Sequence, residues 1–585
     1  MLFIFLSLCF FILIFTGLGR TTLNLVNYEA PRNPFISLFL GLFITSIVSM
    51  AISLFMPVTS IYFIIIIIAG IHGLSIVKKD LKTYIPSPKR EHYFFIILFV
   101  LMLLTISLFF GYDSYPYNSD TDTYHANSVE WLKQFGTVIG LANLSNRFGV
   151  NTAWHTIAAT IDHGIWNARS TFILPALGYS SASAYFFWEI CYGKSLWQKL
   201  YGIAITCWIF CNILTWGFPS LHYDFIALVT NSILVFEVLY LSIHDKNKIG
   251  EVRTLLPLLL LSTFSFILKP MGALSILFTA AFCIHLLYLN RKFSIRNLVI
   301  LFCIPAISFT IWLTRNIYLS GWPFYPSPIL PLTFDWTVPR STTLGIYNDV
   351  VAWAKMPGPN YLEVIGKPFS YWFIPWIKAT MTTIRFWFIG TIPFVLGIVC
   401  WASIGRTIFK KENLFFFTWS VANLLFWFLT APDIRFGDGF FFVFLTTGIT
   451  FVTLRFNFIN FPAKFFKPLT ITMLLIMSLF ILAIGATLFS GKRGPVNLLT
   501  IGQHGPGPIV KRKIQTNNGT SFFVWTPVPV SSCRNSKLPS ICLDNMVIYK
   551  ELSACGNSPL PCTPFFNKNL KQRNPRKLGD GFTLR

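Results

Sequence analysis

Apolar runs of roughly 17 to 23 residues, each long enough to cross a ~30 Å hydrocarbon layer as a helix, recur along this chain from Met1 to about Leu488. About fourteen such runs are predicted to span. Only 12% of the residues are charged, while 62 are Phe. A water-soluble core cannot absorb so much apolar chain, so the expected class is an all-α polytopic transmembrane bundle.

Basic residues orient the predicted spans. Lys78, Lys79, Lys82, Lys89 and Arg90 form one cluster, Lys246, Lys248 and Arg253 a second, and Arg291, Lys292 and Arg296 a third. Arg406, Lys410 and Lys411, then Arg455, Lys464 and Lys467, complete the set in alternate loops. The positive-inside rule makes these loops cytoplasmic and sends the loops at about 111–170, 319–382 and 431–439 to the opposite side, with the tail from about 490. The first run lacks a basic leading segment and is followed by Arg20, so it reads as an uncleaved span with its amino terminus outside. Much of the net charge of +24 is then topological, and nucleic-acid binding is not needed to explain it.

Two regions follow: a membrane domain over 1–489 and a small extracytoplasmic α/β or β-rich tail over 490–585. Seven cysteines are scattered in or beside apolar runs, whereas Cys533, Cys542, Cys555 and Cys562 are confined to the tail. An even set in a loop-rich segment suggests two disulfides and an oxidising compartment. Their spacing is poor for a zinc site.

The stretch NSDTDTYHAN holds Asp120, Asp122, Tyr124 and His125 directly after a span. Ionisable groups gathered at a membrane surface commonly mark a site. SVEWLKQFGTVIG then puts Val129, Leu132 and Phe135 on one face of a short helix, a pattern suited to lying along the membrane surface. Asn143, Asn146, Arg147, Asn151 and His155 follow, all able to bind hydroxyls, phosphate or a metal. A carboxylate here serves as a general base, as a ligand for a hard divalent ion such as Mg or Mn with Asp120, Asp122 and His125 as donors, or simply as a helix cap.

Asp120 with Tyr124 four residues on resembles the Asp-Glu-x-x-Tyr/Phe motif of GT-C-fold glycosyltransferases, polytopic enzymes that use polyprenyl-phosphate-linked sugars. The longer string DTDTYHANSVEWLKQFGTVIGLANLSNRFGVN resembles a group of uncharacterised bacterial polytopic proteins that includes leptospiral members. RNIYLSGWPFYP, FDWTVP, APDIRFGDG and LPCTPFF share that second resemblance. The first resemblance implies a GT-C-like scaffold with Asp120 as general base. Thr121 stands where the motif has Glu, and Asp122 lies one residue further, so the motif's second carboxylate does not carry over; Asp122 and His125 are expected to support Asp120 or to bind the metal.

Transfer from such a donor expels a phosphate, whose charge calls for Arg or Lys at the outer membrane surface. Lys269 beside Pro270, Arg315 before SGWPFYP, and Arg435 beside Asp433 and Asp438 are the candidates. Asp224 begins a span and reads as a cap. The second loop carries Trp322, Tyr325, Trp336, Tyr347, Trp353, Tyr361 and Trp372, which suit either sugar stacking or an aromatic belt; Asp335 beside Trp336 is the pair singled out.

The expected function is sugar transfer to a cell-envelope glycan or lipid acceptor outside a bacterial cytoplasmic membrane, with membrane lipid, the lipid-linked donor and the acceptor as partners. A polysaccharide polymerase or ligase, or a transporter or flippase, are the competing classes.

Overall fold

The computed structural model describes residues 1–456 except 27, 29–30, 85–89, 112–119, 217–219, 245–250, 359 and 384–385, and beyond them the strand residues between 509 and 567, 560–561 and 569–584. Among the described residues, eleven helices are long and apolar enough to cross a membrane. The chain is therefore a multi-pass membrane protein. The expected number of about fourteen spans included the apolar run ending near Leu488, which lies outside the described residues, and Val252–Leu268, a helix of only 17 residues.

The amino-terminal helices are α1 (Leu2–Leu25), α2 (Phe35–Ser53), α3 (Ser60–Tyr84) and α4 (Arg90–Gly111). Glycines let α1 and α3 touch along their backbones: a Cβ on Gly17 would stand 2.0 Å from the Gly70 carbonyl oxygen, and one on Gly73 would stand 1.8 Å from that of Gly17. Such small-residue seams replace the hydrophobic drive that helices lose in lipid. The opposite face of α3 exposes Ile61, Ile64, Ile65, Ile68 and Ile71 at helical spacing. That stripe matches hydrocarbon, not water.

After α4 comes a π-helical turn, Thr121–His125, which runs straight into α5 (Ala126–Gln134), then α6 (Leu141–Leu144) and α7 (Ala153–Ile161). The apolar face expected of α5 packs against the spans. Val129 and Leu132 join the same apolar core as the spans, and every residue of α7 is buried. Thr152 caps α7 by accepting from the Trp154 N–H at 3.2 Å, and the Thr160 hydroxyl donates to Ser49 on α2 at 3.0 Å. The amphipathic face was read correctly, but its partner is protein.

The central helices are α8 (Ser170–Tyr192), α9 (Leu196–Trp216), α10 (Asp224–His244), α11 (Val252–Leu268), α12 (Ala273–Leu289) and α13 (Ile295–Ser320). Two loop helices, α14 (Arg340–Lys355) and α15 (Phe369–Thr382), precede α16 (Ile392–Ile404), α17 (Lys411–Thr430) and α18 (Ile434–Arg455). In α10 and α18 83% of the apolar window is buried, against 17% in α13. Those two helices, with α8, lie inside the bundle, and α13 faces outward.

Charge is buried at both ends of α10. At its start Asp224 meets Lys269 and Arg435. Near its other end Glu237, with Glu189 of α8, pairs with Arg32, which also lies over the Tyr240 ring at 4.1 Å. The two nodes are thirteen residues, or about 20 Å, apart along the helix.

The tail contains the antiparallel hairpin β1 (Ile509–Gln515) and β2 (Ser521–Pro527), the three-stranded antiparallel sheet β3 (Pro529–Ser532), β4 (Met546–Tyr549) and β5 (Phe565–Asn567), and the pair β6 (Lys571–Gln572) and β7 (Phe582–Thr583). Strands were expected there. Cys533, Cys542, Cys555 and Cys562, the disulfide candidates, lie outside the described residues. The end of the tail is built into the first loop: the Phe582 N–H donates to the Ile139 carbonyl at 3.0 Å, and Leu570 and Phe582 are buried with Tyr124, Trp131 and Phe148. Gly140 allows this approach, since it sits at φ +66° and a Cβ there would stand 2.1 Å from the Phe582 oxygen.

Candidate functional site

The π turn is the local origin of the site. A π turn widens the helix by one residue and re-aims the side chains around it, a distortion often found where function needs it. Asp120 sits at its leading edge, and Tyr124 and His125 point inward and are buried. The Thr121 hydroxyl donates to Ser220 at 2.7 Å, which fastens the turn to the loop that precedes α10. Ser220 lies 3.4 Å from His125 Nδ1. The backbone of Asp122 belongs to the turn, but its side chain lies outside the described residues.

That loop, Ser220–Tyr223, brings His222 and Tyr223 beside the first-loop residues. The His125 ring stands 5.1 Å from that of His155 and 5.2 Å from that of His222, and His155 lies 6.0 Å from Tyr223. Burial pushes all three imidazoles toward the neutral form: His155 falls to about 3, helped by the Arg315 charge, His222 to about 4, helped by Arg435, and His125 drops well below its ordinary value. At neutral pH the cluster is uncharged.

Cations surround it. Pro270 ends α11 one residue after Lys269, as expected of a helix-breaking proline, and Lys269 donates to the Asp224 carboxylate while its ammonium lies 3.4 Å from the Phe436 ring centre. Arg435 Nε is 3.3 Å from the other Asp224 oxygen, outside hydrogen-bonding geometry, so that contact is electrostatic. Asp224 was read as a cap, and it is in fact the anion shared by two cations. Asp433 does cap α18, accepting from the Arg435 N–H at 2.9 Å. Asp438 is buried one turn further along and accepts from Asn212 at 2.6 Å.

Arg147 pairs with Asp349 of α14 at 2.5 Å. The Asp120 charge is felt by both Arg147 and Arg435, and also by Tyr124, His222 and Tyr223. The structure therefore gathers Asp120, Tyr124, His125, Arg147, His155, Lys269 and Arg435 at one end of the bundle. Beside them lies a cavity lined by Tyr179, Asn212, Trp216, Ser220, His222, Asp224 and Arg435. Sequence reasoning missed His222 and the pairing of Asp224. The string LHYD at the start of a span held the signal, three polar groups where one cap suffices.

Other candidates belong elsewhere. Asp335 pairs with Arg573 of the tail at 2.9 Å, and that guanidinium also covers the Trp336 ring at 5.1 Å. Trp336 stacks on Phe334 and donates to the Ile317 carbonyl. This pair holds the tail in place. Trp322 and Tyr325 are buried and hydrogen-bonded to the Val338 and Asn146 carbonyls, so both are structural, whereas Trp353 remains exposed. Asn151 accepts from Arg315 at 2.6 Å and donates to the Trp312 carbonyl, and Arg315 lines a chamber together with His155.

Among the described residues, no group of three or more His, Cys, Asp or Glu side chains is arranged to hold a metal ion. The side chain of Asp122, one of the three expected donors, lies outside the described residues.

No curated protein and no solved structure is similar to this chain. Residues 1–442 match the model of a domain of unknown function, DUF8201, and the match takes in every residue of the cluster around Asp120, so the chain belongs to that family.

Proposed function

We propose that the protein is a membrane glycosyltransferase that moves a sugar from a polyprenyl-phosphate-linked donor to a cell-envelope glycan or lipid acceptor, on the extracytoplasmic face of a bacterial cytoplasmic membrane. One observation carries the reading: a carboxylate at the edge of a distorted turn, Asp120, acts within the electrostatic reach of Arg147 and Arg435, at the end of a membrane bundle.

In this reaction Asp120 takes the proton of the acceptor hydroxyl as its oxygen attacks the anomeric carbon. The bond from that carbon to the phosphate oxygen breaks, and the electron pair leaves with the lipid phosphate. Arg435 and Lys269 supply positive charge for that leaving group, and with Asp224 between them they carry a net charge of about +1. Neutral His125 and His222 orient the acceptor by hydrogen bonding.

A transporter or flippase is the second reading, favoured by the two charged nodes at opposite ends of α10 and by Asp438 buried within α18. Mass spectrometry of surface glycans from deletion and Asp120→Asn strains, at matched protein level, separates the two. Loss of one sugar with intact lipid carriers supports transfer. Wild-type glycans in the Asp120→Asn strain would refute it, and accumulation of a lipid-linked oligosaccharide would favour a polymerase or ligase.

A further inference from the structure

Next to the histidine cluster is a second chamber, lined by Ser128, Trp131, Thr137, Thr152, His155 and Arg315 among others. Arg315 stands in the last turns of α13 and is only 4% exposed. Its Nε donates to the Thr137 hydroxyl at 3.1 Å and its Nη1 to the Asn151 side-chain oxygen at 2.6 Å. Both acceptors are neutral. Among the described residues, no carboxylate lies within ion-pairing distance of Arg315, whereas Lys133, Arg147, Lys269 and Arg435 at the same end each reach one.

A guanidinium removed from water without a counter-charge is costly, because neutral acceptors return only part of its lost hydration. Two of its lining residues carry a buried polar atom that has no hydrogen-bond partner among the described residues, His155 Nε2 and Trp131 Nε1. The indole N–H can only donate, and the imidazole nitrogen donates in one of its tautomers. A cation and two residues with unused donors around one small space make the electrostatic pattern of a site for negative oxygen. The free volume, about 20 Å³, admits a group close to the size of a single oxygen.

We propose that this chamber is an anion site that takes one oxygen of a carboxylate or phosphate group, with Arg315 as its charge and Trp131 and His155 as its directing donors. The site stands on the chamber alone. That the anion is carried by the acceptor rests on the transferase reading and makes that acceptor acidic. Lys269 and Arg435 differ in kind, since Asp224 already compensates them in part and an incoming anion there must compete with a carboxylate.

The test is thermal unfolding of the full-length protein in detergent, followed by tryptophan fluorescence, during titration with sodium acetate, inorganic phosphate or decyl phosphate against chloride at constant ionic strength. We expect a saturable rise in Tm with at least one oxyanion, a loss of affinity of roughly tenfold or more in Arg315→Gln, and a smaller loss in His155→Gln. Arg455→Gln, at the far end of α18, should respond like the wild type. Without added anion, Arg315→Gln should be at least as stable as wild type, because an uncompensated charge has been removed. Tighter binding of decyl phosphate than of inorganic phosphate identifies a lipid phosphate, and the reverse order or an acetate response identifies a soluble acidic group. A wild-type Tm indifferent to all three oxyanions, or an unchanged response in Arg315→Gln, overturns the proposal. Because the readout is binding, its failure is distinct from wild-type glycans in the Asp120→Asn strain.

Discussion

Asp224 is the keystone of the cation pair, and Asp224→Asn tests that directly. Asn keeps the shape and removes the charge, leaving Lys269 and Arg435 beside each other without their shared anion. The side chains are 9%, 16% and 25% exposed respectively, so water screens them little. Breaking a buried pair by removing one member costs about 3–5 kcal/mol. The cation–π contact of Lys269 with Phe436 is present before and after the change and leaves that difference unaltered. A loss of about 3–5 kcal/mol is expected. In Lys269→Met the carboxylate keeps Arg435, so that single change should cost less, and the double variant should be more stable than additivity allows, with a coupling of about 2 kcal/mol. Denaturation in mixed micelles of the wild type, both single variants and the double variant measures that coupling. Additivity within about 0.5 kcal/mol would show that the two residues are neighbours without being energetic partners.

The buried histidines predict an acid limb. Their folded values, about 3 for His155 and about 4 for His222, lie below the ordinary 6.5. Above pH 6.5 both are neutral in either state, whereas below it the unfolded chain takes up protons that the fold refuses, so stability should fall from about pH 6.5 toward pH 4. His155→Gln with His222→Gln should flatten the unfolding temperature over that range, and an unchanged slope would assign the acid sensitivity to carboxylates. The tail makes a separate prediction. Gly581 sits at φ +95° and its Cβ would stand 1.9 Å from the Ile139 oxygen, so Gly581→Val should undock β7 and raise hydrogen exchange at 136–144 and 334–338 while leaving α10 and α18 protected. Protection unchanged in the two loops would mean that the tail does not hold them.

Much of the architecture follows from local pattern. Apolar runs of span length specify helices wherever water is absent, because only intra-segment hydrogen bonds satisfy the backbone in lipid. The helix end at Lys269 follows from Pro270, and the amphipathic face of α5 follows from the positions of Val129 and Leu132. The concentration of ionisable groups around Asp120 could likewise be read directly, since charge beside a span is rare enough to stand out.

Partnership was decided only by the tertiary structure. Asp224 reaches Lys269 across 45 positions, and Asp335 reaches Arg573 across 238, turning one expected cap into a shared counter-ion and one expected sugar contact into an anchor for the tail. His125, His155 and His222 come from three separate segments, and no periodicity links them. The physical reason is one of range. Helix formation depends on neighbours within a few residues, but the charge state and availability of a side chain depend on which span ends meet it in a medium that screens poorly. By itself the sequence determined that the chain crosses the membrane many times and where its polar groups collect. Packing alone settled that Asp224 neutralises two of the cations and that Arg315 is left with only neutral partners among the described residues.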